Sequence, residues 1–139
     1  MICLGMTCTS ITASRISQSV DGEWSLTFTV SGGIAGLNRT LQLESSGAAT
    51  AIDRQRSLHV RRQIARDDVS EIERFATAAA SFDKSGDDVC RDCLTYAIDL
   101  RVSGRSVRIR ATDITLSDSK AAPLVRALTR IQQRLFAEP

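Results

Sequence analysis

A two-layer α+β domain, with a four-stranded antiparallel sheet covered on one face by two helices in the order ββαββα, is predicted by three observations. Two separate regions alternate apolar and polar residues with the two-residue period of a strand that has one dry and one wet face. Each is interrupted by a glycine-marked reversal, and each is followed by a segment whose apolar residues recur at steps of three and four. Two hairpins joined into one sheet leave a single apolar face, which two amphipathic helices can cover.

The elements follow in chain order. Residues 1–20 are rich in Ser and Thr with few charges and read as a flexible leader, possible remnant of a signal, ahead of a single domain over 21–139. In the first strand Trp24, Leu26, Phe28 and Val30 alternate with Ser25, Thr27, Thr29 and Ser31. The chain then meets Gly32-Gly33-Ile34-Ala35-Gly36, and a second strand runs from Leu37 to Leu43. Glycine alone accepts positive φ without steric cost, so this composition permits a left-handed or bulged turn. The turn leaves Ile34 either closing the end of the core or held outward as an apolar contact for a partner.

After Glu44 the run Ser45-Ser46-Gly47-Ala48-Ala49-Thr50 breaks the alternation and opens a polar crossing with Arg54, Arg56, His59, Arg61 and Arg62. The crossing has room for one short strand, Ser57 to Ile64. Asp67 or Asp68 then caps a helix carrying Val69, Ile72, Phe75, Ala76 and Ala79, which ends near Ser81 before the loop Asp83 to Asp88. Leu94, Tyr96, Ile98, Leu100 and Val102 mark the dry face of the next strand. Ser103-Gly104 is a tight turn, and Val107, Ile109 and Ala111 face inward from the last strand. A polar link from Thr112 to Lys120 precedes a helix that starts around Pro123 and carries Leu124, Leu128, Ile131 and Leu135.

The chain's bulk narrows the possible functions. Its 139 residues, 42% of them hydrophobic, suffice for one ordinary core. Eighteen Lys and Arg against 16 Asp and Glu give a net charge of +2, too balanced for a general nucleic-acid footprint. Arg101, Arg108 and Arg110 should share the wet face of the second hairpin. Binding single strands there would call for stacking aromatics, and those present sit mostly on apolar stripes. No run approaches the ~18 apolar residues of a membrane span. Cys8 is a candidate lipid-attachment residue, although Gly5-Met6-Thr7 before it is a poor match to the small residues such a site requires. Cytoplasm and cell envelope both remain open as compartments.

Catalytic and metal-binding patterns are sparse. Cys90 and Cys93 form a Cys-x-x-Cys, but the motif runs into a strand and not a helix N-terminus, where a dipole would lower a thiol pKa. A free pair or a local disulfide closing the strand's entry is therefore expected. Cys3 and Cys8 would complete a four-cysteine count without the second short spacing of a zinc site. His59 is the only histidine and belongs to no zinc-helix pattern. No Gly-x-Ser-x-Gly elbow supplies a nucleophile, and Gly32-Gly33-x-x-Gly36 lacks the lysine and the following helix of a phosphate-binding loop. The carboxylates at Asp67-Asp68, Asp87-Asp88, Asp113 and Asp118 fall where capping and solvation account for them. Neither enzyme nor cofactor is expected.

In their order and spacing, Ser31-Gly32-Gly33-Ile34-Ala35-Gly36, the Tyr96 strand, Gly104-Arg105-Ser106 and the Pro123 helix resemble the emfourin family, proteinaceous inhibitors of protealysin. Protealysin is a thermolysin-like zinc metalloprotease. The resemblance spans roughly residues 24–136, with Ile34 where members often carry an aromatic residue and with a longer connection between Leu43 and Asp67. It implies a non-enzymatic inhibitor whose partner is a thermolysin-like metalloprotease. The predicted contact residues are Gly32, Gly33, Ile34, Ala35, Gly36 and Leu37. The alternative is an envelope interaction module, such as a lipoprotein, with no protease target.

Overall fold

A computed structural model describes residues 22–80 and 90–137. Its strands are β1 (Trp24–Gly32), β2 (Leu37–Glu44), β3 (Ala48–Asp53), β4 (Leu58–Gln63), β5 (Leu94–Val102) and β6 (Arg105–Thr112). Helix α1 (Arg66–Ala80) lies between β4 and β5, and α2 (Ala122–Ala137) follows β6 after a single 3₁₀ turn at Leu116–Asp118. The class is α+β, as the alternation predicts. The sheet, however, has six strands and not four, in the order β4-β3-β2-β1-β5-β6, every pair antiparallel.

The two added strands lie in the segment that reads as a polar crossing. β4 falls within the Ser57 to Ile64 stretch allowed for a short strand. β3 escapes a hydrophobic reading because its inward residues are Ala49, Ala51 and Asp53, two small and one charged, while Ile52 points the other way. Small residues give a weak apolar signal, and what builds β3 is its pairing with a finished neighbour. Ser45-Ser46-Gly47 is a genuine reversal, with the Gly47 N–H donating to the Glu44 carbonyl at 2.9 Å, but a strand follows it directly.

Register places one apolar row across the whole sheet: Val60, Ala51, Leu41, Phe28, Ile98 and Ile109 are successive cross-strand partners. Leu43, Leu26 and Leu100 form the parallel row beside it. These residues share one core with Val69, Ile72, Ala76 and Ala79 of α1 and Leu124, Leu128, Ile131 and Leu135 of α2. Phe28, fully buried at the centre of the sheet, is the residue whose truncation would open the largest hole, at a cost of about 3–5 kcal/mol. The opposite face carries Ser25, Thr27, Thr29, Thr40 and Thr50 with no helix over it.

Helix α1 begins at Arg66, so Asp67 and Asp68 occupy its first turn and do not cap it; there they face the positive end of the helix dipole. The helices are antiparallel, tied by Arg134 to Asp68 at 3.0 Å and Arg130 to Glu71 at 2.6 Å. Both pairs are solvated and contribute little to stability. Trp24 joins sheet to helix more firmly: its ring is buried and its Nε1–H donates to Glu73 Oε1 at 3.0 Å. Among the described residues no helix is long and apolar enough to cross a membrane. The predicted leader, with Cys3 and Cys8, lies outside the described residues, as do Ser81 and the Asp83 to Asp88 loop.

Candidate functional site

Antiparallel strands of matched length gather their connections at two ends. One end collects the β1–β2 turn, the β3–β4 turn (residues 54–57), the entry to β5 and the link from β6 to α2. All six predicted contact residues are there. Gly32 closes β1 opposite both Leu37 of β2 and Leu94 of β5. Its φ is +90°, and a Cβ on it would stand 2.8 Å from the Cys93 carbonyl oxygen. This position needs glycine on two counts, conformation and space. Gly33 to Gly36 then form a four-residue reversal, with the Gly36 N–H donating to the Gly33 carbonyl at 3.1 Å. Ile34 and Ala35 are its tip.

Ile34 is 94% exposed, so of the two readings its residue type allowed, closing the core is excluded. Leu37 is half-buried on the inner face, beside the turn and not at its tip. The predicted set is thus contiguous in space, with one large side chain projecting from it.

The tip is held from two sides. From the β5 side, the Gly33 N–H donates to the Cys93 carbonyl at 3.1 Å, and Cys93 is disulfide-bonded to Cys90. The Cys-x-x-Cys therefore closes the strand's entry, one of the two states its sequence allowed. From the β3 side, the Gln55 side-chain amide donates to the carbonyls of Ala35 at 2.5 Å and Gly36 at 2.7 Å. Glycine-rich turns are intrinsically loose, so these contacts convert a flexible reversal into a fixed one.

Gln55 is in turn positioned by Asp53, a residue sequence reasoning missed. Asp53 is 1% exposed, and its Oδ1 accepts the backbone N–H groups of Gln55 and Arg56 at 3.1 and 3.2 Å. Its Oδ2 accepts Nε–H from Arg39 at 3.0 Å and from Arg56 at 2.9 Å. Both guanidinium groups lie over the Phe136 ring near the end of α2, at 5.9 and 5.5 Å from its centroid. Burial by itself would raise the Asp53 pKa. The hydrogen bonds from Arg56 and Arg39 outweigh it and hold the carboxyl below the usual value, as an anion. The available signal was an aspartate two and three residues before polar N–H groups in Asp53-Arg54-Gln55-Arg56, the pattern of an Asx turn.

On the far side of β5 the link after β6 is fixed as well. Asp113 donates its N–H to the Leu94 carbonyl at 3.1 Å. Thr112 and Thr115 lock the reversal reciprocally: the Thr112 N–H donates to Thr115 Oγ1 at 2.9 Å and the Thr115 N–H to Thr112 Oγ1 at 3.3 Å. Burial, and secondarily the Asp113 carboxylate, raise the Tyr96 pKa, so its hydroxyl remains protonated through neutral pH.

Other predicted positions do not converge on chemistry. His59 is exposed on the uncovered face of β4, remote in register from Arg108, which pairs with Asp99 at 2.8 Å across β5 and β6. Arg101 and Arg110 share that solvated face. Among the described residues no group of three His, Cys, Asp or Glu side chains is placed to hold a metal ion. The fold and this end of it define an α+β protein with a stiffened, apolar-tipped loop edge. No known family model matches the chain, and no curated protein matches it.

Proposed function

We propose that this chain is a non-enzymatic, emfourin-like inhibitor that seats the Gly32 to Leu37 turn in the active-site cleft of a thermolysin-like metalloprotease. The observation that carries the reading is Ile34: a large apolar side chain, 94% exposed, on a turn whose backbone is fixed by Cys93 and Gln55. At this exposure Ile34 adds almost no buried area to the core, and holding it in one place reduces the entropy lost when a loop enters a cleft. Thermolysin-like enzymes favour bulky aliphatic residues beside the scissile bond, which suits isoleucine.

Titration of the purified protein against a thermolysin-like protease, with an unrelated zinc protease as control and a small peptide substrate, tests this. Saturable inhibition of the first enzyme alone is expected, and Ile34→Ala should weaken it at least tenfold, the loss of one buried aliphatic anchor. No inhibition at micromolar concentrations would sink the proposal and favour an interaction module with another partner.

A further inference from the structure

Ile34 has a counterpart. Among the described residues only two large hydrophobic side chains are exposed, Ile34 at 94% and Ile114 at 67%, and both lie at the same end of the sheet. Their loops are bonded to consecutive residues of one strand entry: Gly33 to the Cys93 carbonyl, Asp113 to the Leu94 carbonyl, each at 3.1 Å. β1 and β6 flank β5, so the loops leave the sheet two strand spacings apart, roughly 10 Å.

The two loops are unrelated in sequence yet built to the same physical end. Each is a short reversal with side-chain hydrogen bonds onto its own or a neighbouring backbone, Gln55 for the first and the Thr112–Thr115 pair for the second. Each holds a β-branched residue, whose χ1 is stiff and loses little entropy on burial. The link that holds Ile114 exposes two carboxylates, Asp113 and Asp118, against one ammonium, Lys120, a net negative balance that suits a cleft carrying a cation and disfavours an anionic lipid surface.

We infer that Ile114 is a second anchor for the same partner, so that the inhibitory edge is bipartite and fits a cation-bearing cleft with two separate apolar pockets, one for each loop. This rests on the inhibitor reading above and adds to it a residue from the opposite flank of β5. Because Ile114 is exposed, trimming it should leave the fold intact.

The test compares Ile34→Ala, Ile114→Ala and the double variant in the protease titration, with thermal unfolding midpoints as a folding control and size-exclusion chromatography of each. Ile114→Ala is expected to weaken inhibition about tenfold at an unchanged midpoint, Ile114→Val to restore most of it, and the double variant to lose more than either single one. Full inhibition by Ile114→Ala, with Ile34→Ala impaired, overturns the second anchor and leaves the inhibitor reading standing. Absence of inhibition by the unaltered protein overturns both. A dimer that Ile114→Asp dissociates without loss of inhibition assigns the residue to self-association and likewise overturns the inference.

Discussion

The two ends of the sheet are made from the same kinds of turn and yet differ in what they expose. At the end opposite Ile34, the two hairpin turns are Ser45-Ser46-Gly47 and Ser103-Gly104, made of serine and glycine; a Cβ on Gly104 would meet nothing within 4 Å. Both ends are tied to neighbouring elements, the far one by the Ser45 N–H to the Trp24 carbonyl at 3.0 Å and the Gln63 side-chain amide to the Ser46 carbonyl at 2.6 Å. Among the described residues, however, the exposed large hydrophobic side chains, Ile34 and Ile114, are both at the Ile34 end. Positive φ occurs at both ends, at Gly32, Gly33 and Gly36 on one and Gly47 and Gly104 on the other. Glycine and a bonded backbone mark a reversal at either end; what differs is the side chain that the reversal presents.

The comparison breaks most visibly at Asp53. Asp53→Ala removes the partner of Arg39 and Arg56 and the acceptor of two turn N–H groups, and should cost about 3 kcal/mol, read as a lower urea midpoint. Because its folded pKa is depressed, the stabilisation Asp53 provides is fully present above the ordinary carboxylate value and is lost as pH falls through the lower, folded one. A pH series of unfolding midpoints should therefore drop on the acid side in the native protein and drop less in Asp53→Ala. An identical acid slope in the two would show that Asp53 is not held as an anion.

A smaller effect sharpens the contrast. Gln55→Ala releases the Ala35 and Gly36 carbonyls to water at an exposed site, so stability should change by only about 0.5 kcal/mol. If rigidity of the turn matters for binding, inhibition should still weaken several-fold, which the protease titration would detect. The smallest effect on the proposed inhibition belongs to the far end: Gly104→Ala, strained by φ of +78° but unobstructed, should cost about 1 kcal/mol of stability and leave the protease titration unchanged. Weakened inhibition by Gly104→Ala would relocate the contact to the wrong end of the sheet.

What the sequence determined by itself was whatever has a local physical cause. Alternation at Trp24 to Val30 and Leu94 to Val102 set the strands, three-and-four spacing set both helices, and paired glycines set the β1–β2 turn. The direction of Ile34 was not local, because an isoleucine at a turn can fold inward or stand out, and only the position of Cys93 and Gln55 against the turn decides which. The number of strands was decided in the same way. β3 lacks large inward side chains and gains its place from β2, while the buried charge of Asp53 is tolerable only because Arg39, Arg56 and Phe136, separated widely along the chain, meet around it. Periodicity is a property of neighbours in sequence; desolvation, pairing and exposure are properties of neighbours in space, and those the tertiary structure alone supplies.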